Sequence, residues 1–167
     1  MGAAASKLPS GTFDLIDHFG RQATNRSFHG KYLLVFFGFT HCRVVCPRAL
    51  TKLSAALDAL GSLRRKIQPL YITVDPERDT PERMRDFLQN YPRFLGLTGS
   101  RAQIDEAKHA FCVFARRTLD PEDSEGYSVP HTAICYFLHA NGKSLSHFVD
   151  ALSTEQIVRR LTSYMKE

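Results

Sequence analysis

Long apolar stretches are missing from this sequence of 167 residues. The longest run, 32–39, is broken only by Gly38 and has the length of a strand, whereas a membrane-spanning helix needs roughly 20 apolar residues. Residues 1–6 are too few and too weakly apolar to form the core of a signal peptide. We therefore expect a soluble chain that is either cytosolic or preceded by a targeting or anchoring segment outside this sequence.

Cysteines are also few, with only four in the chain. A small secreted domain held together by disulfides carries a denser and more regular set, so this sequence does not fit that class. The sequence also lacks a glycine-rich phosphate-binding loop and a Gly-x-Ser-x-Gly nucleophile elbow. Its chemistry must therefore come from other residues.

The composition, 43% hydrophobic and 23% charged, is typical of a globular domain, and the length suits one domain. We place that domain at 9–167, after a flexible segment at 1–8. The 22 Lys and Arg residues exceed the 17 Asp and Glu residues, which gives a net charge of +5. The basic residues are scattered and not gathered with aromatic residues in one tract, so we do not expect nucleic-acid binding.

The hydrophobic pattern predicts alternating strands and helices, followed by a hairpin and a last helix. Continuous apolar runs such as 32–37 are typical of strands buried on both faces. The predicted elements cover 12–17, 32–37, 50–60, 67–74, 80–90, 94–97, 100–114, 132–138, 143–149 and 153–165. This order predicts an α/β fold in which helices flank both faces of a mixed central sheet, with the hairpin near its centre.

Two cysteines lie where a predicted strand leads into a helix. Cys42 and Cys46 stand four positions apart beside the start of that helix, whose positive end favours thiolate over thiol. Arg43 and Arg48 add positive charge nearby. Thiolates are nucleophiles and soft-metal ligands, and so close a pair is not typical of cysteines that serve only as packing residues.

A third donor for a metal is His131, at the start of a predicted strand and 85 residues beyond Cys46. The loop before this strand can face the turn that carries the cysteines. A structural zinc site normally uses four Cys or His ligands in two pairs, and the sequence offers no second pair at the right spacing. Copper(I), which prefers soft thiolate donors, accepts three.

The remaining candidate residues have simpler interpretations. Cys112 and Cys135 fall within a predicted helix and strand, where single cysteines are usually packing residues. We expect the other histidines to be exposed or hydrogen-bonded; they are His18, His29, His41, His109, His139 and His147. Five phenylalanines occupy predicted core positions, namely Phe36, Phe37, Phe87, Phe111 and Phe137.

Two longer motifs carry a family resemblance. Residues 37–47 read FGFTHCRVVCP, and residues 72–81 read ITVDPERDTP. Together with residues 96–100 and His131, they resemble the SCO/SenC family of copper proteins, and the similarity runs from about residue 13 to the last helix.

The resemblance implies a thioredoxin-like fold and a metallochaperone with redox-active cysteines, not a classical enzyme. It implies one copper ion per chain, bound by Cys42, Cys46 and His131 and delivered to the copper A site of cytochrome c oxidase. The expected partners are the copper-receiving oxidase subunit, a thiol reductant and another copper carrier. The expected location is the bacterial periplasm or the mitochondrial intermembrane space, with a membrane-tethering N-terminal helix that these 167 residues lack.

The sequence departs from the family pattern at three positions. Arg43 and Val44 stand where the family commonly has Pro and Asp, and Pro130 stands where it has Asp before the histidine. These changes make the site more positive, which should lower the pKa of the thiols, and they remove acceptors that orient ligands. We therefore expect copper affinity or the choice of partner to differ from the typical member.

A second function is compatible with the same fold. Cys42 and Cys46 can serve as the redox pair of a thiol-disulfide oxidoreductase, for which a distant histidine is not needed. The two functions can also follow one another, because copper binds the reduced sulfurs and disulfide formation would release it. A peroxide-reducing enzyme is a third interpretation that rests only on the fold and an activated cysteine.

The loop at 75–80 has two interpretations. It is either a turn in which Asp79 and Thr80 cap the following helix, or a region in which Asp75 and Arg78 shape the surroundings of the metal site or a docking surface.

Overall fold

A computed structural model describes residues 11–42, 45–131, 134–149 and 152–165. The predicted flexible segment at 1–8 lies outside these ranges. In chain order, the described elements are β1 (Asp14–Asp17), β2 (Gln22–Thr24), β3 (Tyr32–Gly38), α1 (Val45–Ala59), β4 (Ile67–Thr73), α2 (Pro81–Leu88), β5 (Leu95–Thr98), α3 (Arg101–Phe111), β6 (Thr118–Leu119), β7 (Tyr127–Ser128), β8 (Ile134–Leu138), β9 (Ser144–Val149) and α4 (Thr154–Met165). None of the described helices is both long enough and apolar enough to cross a membrane.

Seven strands form one mixed sheet in the order β2-β1-β5-β4-β3-β8-β9. The central strands β3, β4 and β5 are parallel, whereas β1 and β8 pair antiparallel with their two outer members. Since helices connect the parallel strands, the carboxyl ends of β3, β4 and β5 meet at one edge of the sheet. The predicted mixed sheet is confirmed.

Both faces of the sheet are covered by apolar side chains. Along β3, Leu34 and Phe36 pack against α1, α2 and α4, while Leu33, Val35 and Phe37 pack against α3. All five of these side chains are buried. The prediction that 32–37 forms a strand buried on both faces is therefore confirmed, as is the prediction of helices on both sides.

The hairpin forms at Asn141-Gly142 as predicted, and Gly142 adopts a φ of 89° that favours glycine. Its expected position near the centre of the sheet is wrong. β4 occupies one side of β3, so β8 takes the other side and β9 becomes the outermost strand.

Helix α3 is shorter than the predicted 100–114. Cys112 adopts a left-handed conformation with φ of 59°, and the amides of Cys112 and Val113 donate to the carbonyls of His109 (3.2 Å) and Lys108 (2.8 Å). This pattern is a Schellman motif, which ends a helix by satisfying its last carbonyl groups. Phe114 therefore does not extend the apolar face of α3 and is 81% exposed.

The two cysteines with predicted packing roles differ. Cys135 is buried in β8, as expected. Cys112 is exposed because it lies at the end of α3 and not within it, so its predicted packing role is wrong.

His18, which directly follows β1, forms a hydrogen bond with β5. Its Nδ1 accepts a hydrogen bond of 2.9 Å from the Gly96 amide, which confirms the expectation of a hydrogen-bonded histidine. Burial lowers the pKa of His18 from its ordinary value of 6.5; the Asp17 carboxylate opposes this effect, and Arg85 and Arg21 add to it. The folded chain therefore favours the neutral imidazole.

We predict that His18 makes folding pH-dependent. Below pH 6.5 the unfolded chain binds a proton that the folded chain resists, so the stability from neutral His18 is present above that pH and is lost as the pH falls. In His18→Asn, the Oδ1 atom can replace Nδ1 as acceptor without titrating. Urea unfolding between about pH 7.5 and 5 should show a steeper loss of stability in the wild type; parallel losses in the two proteins would contradict this prediction.

Candidate metal centre

The two motif cysteines meet at the carboxyl edge of β3. Cys42 follows β3 in a turn that its amide closes by donating to the Phe39 carbonyl (3.1 Å), and Cys46 lies in the first turn of α1. The Cys46 amide donates to Cys42 Sγ at 3.4 Å. Neither cysteine forms a disulfide bond. The prediction that they come together where a strand leads into a helix is confirmed.

The two sulfurs have different environments. Cys42 is half-buried, whereas Cys46 is completely buried. Its hydrogen bond with Cys42 and its burial raise the pKa of Cys46 far above the ordinary thiol range. The expected thiolate is therefore wrong for Cys46, because Cys42 Sγ receives the helix amide and Cys46 Sγ lies in the core. Arg43 and Val44 lie outside the described residues, and Arg48 is exposed.

His131 is held by the backbone. Its Nδ1 lies 3.0 Å from the Val129 carbonyl oxygen, and its Nε2 lies 2.8 Å from the Phe37 carbonyl oxygen. Residue 131 also forms an isolated bridge with Ala115, and its ring meets Phe39 edge-on at 5.8 Å. These contacts place His131 beside the end of β3, the strand that leads to the cysteines.

The structure thus brings Cys42 and Cys46 together but directs both ring nitrogens of His131 at carbonyl oxygens. In the part of the chain that is described, no three His, Cys, Asp or Glu side chains form a group ready to hold a metal ion. The donor set nevertheless fits a soft metal, because two thiols adjoin and an imidazole lies beside the preceding strand. Pro130, the departure next to His131, is exposed, and its carbonyl accepts from the Arg116 amide at 3.2 Å.

Asp79 does not cap α2, which corrects the first of the two interpretations of the loop at 75–80. Its carboxylate accepts the Thr40 amide (3.0 Å), the Thr40 hydroxyl (2.5 Å) and the Thr73 hydroxyl (2.7 Å). Burial raises the pKa of Asp79, and the hydrogen bonds from the two threonines oppose that shift. Thr80 alone caps α2, by accepting from the Arg83 amide (3.3 Å). Asp79 instead fixes Thr40, two residues before Cys42.

Asp75 and Arg78 are buried, so the interpretation of this pair as a docking surface is wrong. Arg78 Nε donates to Asp75 Oδ2 at 2.5 Å, and its Nη1 donates to Asp123 Oδ1 at 2.8 Å. Tyr127 donates its hydroxyl to Asp75 (3.1 Å) and presents its ring to the Arg78 guanidinium at 3.7 Å. Arg78 therefore joins the loop after β4 to the segment at 119–131 that ends in His131.

Weaker contacts at the surface join the segment at 119–131 to α2 and to the turn after β3. Glu125 lies 3.4 Å from Arg83 Nη1 and 3.5 Å from His41 Nε2. The Arg83 and Glu125 side chains are 42% and 43% exposed, so water screens this pair, unlike the pairs made by Arg78.

We predict that Arg78→Met destabilises the fold strongly. The substitution leaves the buried Asp75 carboxylate without its cation, which should lower the free energy of unfolding by about 3–5 kcal/mol. Arg83→Met, a control in α2 whose ion pair with Glu125 is exposed, should cost less than about 1 kcal/mol. Chemical unfolding of both variants checks this prediction. Equal effects would contradict the assignment of the Arg78 contacts as the ones that hold the loop.

The chain is similar to proteins of known family. A family model for SCO1/SenC matches residues 2–166. A SCO2-like protein of Rickettsia conorii is 37% identical over 139 residues, which cover 83% of this chain and 68% of that protein. The mitochondrial SCO2 homologue of Homo sapiens is 39% identical over 159 residues, which cover 93% of this chain and 59% of the human protein.

A solved structure of ScoI from Bradyrhizobium japonicum with copper bound superposes with a TM-score of 0.83. The two chains are 36% identical, and the match covers 93% of this chain and 98% of that one. The fold is thioredoxin-like, as the sequence resemblance implied.

Proposed function

Because the chain belongs to the SCO1/SenC family, we propose that it is a metallochaperone that binds one copper ion through Cys42, Cys46 and His131. The observation that carries this proposal is the pairing of two thiols at the first turn of α1. The similar ScoI of Bradyrhizobium japonicum is a copper-bound protein. Copper is the cargo of this function, and the copper A site of cytochrome c oxidase is the proposed destination.

The two sulfurs suit copper(I), which prefers thiolate ligands. Binding removes a proton from each thiol, so it is favoured as the pH rises. Because Cys46 is buried and Cys42 is half-buried, a recipient can approach the ion from the Cys42 side. The buried sulfur holds the ion while the more accessible one is exchanged for a ligand of the recipient.

His131 completes the proposed ligand set by a small change in its contacts. The Val129 carbonyl can retain the Nδ1 proton, which leaves Nε2 unprotonated and available as a ligand. Nε2 must then give up its contact with the Phe37 carbonyl oxygen. This oxygen belongs to the residue before Gly38, and a Cβ atom on Gly38 would lie 2.7 Å from Cys46 Sγ.

The proposed partners follow from this chemistry. The copper-receiving subunit of cytochrome c oxidase accepts the ion, another copper carrier supplies it, and a thiol reductant keeps the cysteines able to bind. We propose the mitochondrial intermembrane space or the bacterial periplasm as the location, with a membrane tether outside these 167 residues. The human relative is a mitochondrial protein.

We predict one copper ion per chain after anaerobic loading with copper(I), measured by metal analysis after desalting. His131→Ala should lose copper to a competing chelator at least tenfold more readily, because a ligand is lost from the three-donor set. His109→Ala is the matched control, since His109 is exposed on α3, and it should load like the wild type. Equal retention of copper by the two variants would remove His131 from the ligand set.

A second candidate function, thiol-disulfide exchange, is favoured by the contact between Cys42 Sγ and the Cys46 amide. The short spacing allows the sulfurs to reach bonding distance with little movement of the backbone. Formation of the disulfide releases two protons and two electrons, and the disulfide of a partner accepts them to become a dithiol. The oxidised pair would bind no copper, so this reaction can also regulate delivery.

We predict that Cys42 and Cys46 form a disulfide reversibly while the other cysteines stay reduced. Burial raises the pKa of the Cys135 thiol, which makes it inert, and Cys112 lies outside the pair at the end of α3. Thiol trapping after mild oxidation, followed by peptide mass spectrometry, should place the bond on Cys42 and Cys46. A disulfide that contains Cys112 or Cys135 would exclude this redox function as proposed.

A further inference from the structure

Tyr71 has a buried hydroxyl group that its own fold leaves unsatisfied. The residue lies in the central strand β4 and is completely buried. Its hydroxyl has no hydrogen-bond partner of acceptable geometry among the described residues. A buried tyrosine hydroxyl usually has a partner, and an unsatisfied one destabilises the fold. The presence of tyrosine at this buried position therefore needs an explanation, because phenylalanine would fill the same space without an unsatisfied hydroxyl.

The hydroxyl of Tyr71 lies beside Cys46. A Cβ atom added to Gly38 would collide with both groups, since it would lie 2.7 Å from Cys46 Sγ and closer still to the Tyr71 oxygen. Because Gly38 has no side chain, the Tyr71 hydroxyl and the Cys46 sulfur can both lie next to its Cα atom.

The orientation of the ring is fixed by its neighbours. Phe36 stacks on the Tyr71 ring at 6.2 Å, and Phe87 stacks at 5.7 Å. With aromatic neighbours stacked on it, the ring cannot turn its hydroxyl away from the sulfur without disturbing the core.

The chemistry of the hydroxyl suits a charged sulfur. A tyrosine hydroxyl is protonated at neutral pH and can donate a hydrogen bond. A neutral thiol is a weak acceptor, whereas a thiolate bound to a metal is a much stronger one.

We propose that Tyr71 is a positioning residue of the metal centre, whose hydroxyl donates a hydrogen bond to Cys46 Sγ when this sulfur is a thiolate. The identity of the metal as copper rests on the function proposed above, whereas the contact with the sulfur does not. A hydrogen bond to a cysteine sulfur withdraws electron density from it and tunes the redox properties of the metal. The same bond stabilises the metal-bound thiolate, so its loss should weaken retention of the metal.

The matched variants are Tyr71→Phe and Tyr136→Phe. Tyr136 is also buried, but it packs against Phe37 and Phe111 on the α3 face of the sheet, away from Cys46. Both substitutions keep the ring and remove one hydroxyl. Tyr71→Phe retains its aromatic stacking and loses an unsatisfied group, so we expect it to fold with unchanged or increased stability.

The first measurement uses protein loaded with cadmium(II), a soft ion that cysteines bind as thiolates, and follows the transfer of the ion to a competing chelator. Tyr71→Phe should release cadmium about three- to tenfold more readily than the wild type, as expected for the loss of one hydrogen bond to the bound thiolate. Tyr136→Phe should retain the ion like the wild type. Equal retention by Tyr71→Phe and the wild type, or equal loss in both variants, would overturn the proposal.

The second measurement is the sulfur-to-copper(II) charge-transfer absorption of the loaded protein. Tyr71→Phe should move this band to longer wavelength, because the sulfur electrons rise in energy without the hydrogen bond, and Tyr136→Phe should leave it in place. Failure of the wild type to bind copper would refute the proposed function, while the cadmium measurement would still decide the role of Tyr71. Normal loading with both readouts unmoved would refute the role of Tyr71 alone.

Discussion

The carboxylate of Asp79 joins the ends of strands that the chain brings together from distant positions. It binds Thr40 after β3 and Thr73 at the end of β4, and the Asp79 carbonyl accepts from the Thr98 hydroxyl at the end of β5 (2.7 Å). A buried carboxylate is tolerated only when hydrogen bonds satisfy it, so its position dictates where those ends must lie. The turn that carries Cys42 begins at this anchor, and the geometry of the thiol pair depends on it.

The two cysteine side chains are chemically identical, but their positions at the start of α1 give their sulfurs different hydrogen bonds and different burial. Cys42 Sγ accepts a hydrogen bond from the Cys46 amide in the first turn of α1, whereas the Cys46 sulfur lies in the core beside Gly38 and Tyr71. Burial disfavours charge on Cys46, and a bound cation would remove that penalty. This environment disfavours the charged form of the inner sulfur, and in the proposed function it leaves the outer sulfur for exchange.

Buried ion pairs and backbone contacts together hold the segment that ends in His131. Arg78, buried between the carboxylates of Asp75 and Asp123 and against the Tyr127 ring, connects it to the end of β4. The described strands in this segment, β6 and β7, have two residues each, so backbone pairing alone holds it weakly. The buried ion pairs thus position the third proposed ligand next to β3, while its ring nitrogens remain on exchangeable carbonyl contacts.

The sequence by itself determined the elements whose signals are local. The apolar run in β3, the Thr80 cap, the Asn141-Gly142 turn and the cysteines at a helix start were all predicted, because each depends on neighbouring residues. The tertiary structure decided the early end of α3 at Cys112, the position of β9 at the sheet edge, and the roles of Asp75, Arg78 and Asp79. It also decided that Cys46 is a neutral thiol and that His131 faces carbonyl oxygens. Most of these features depend on burial and on partners that are distant along the chain, as the Asp79–Thr98 and His131–Phe37 contacts show, and no local pattern encodes which groups will meet in the folded core.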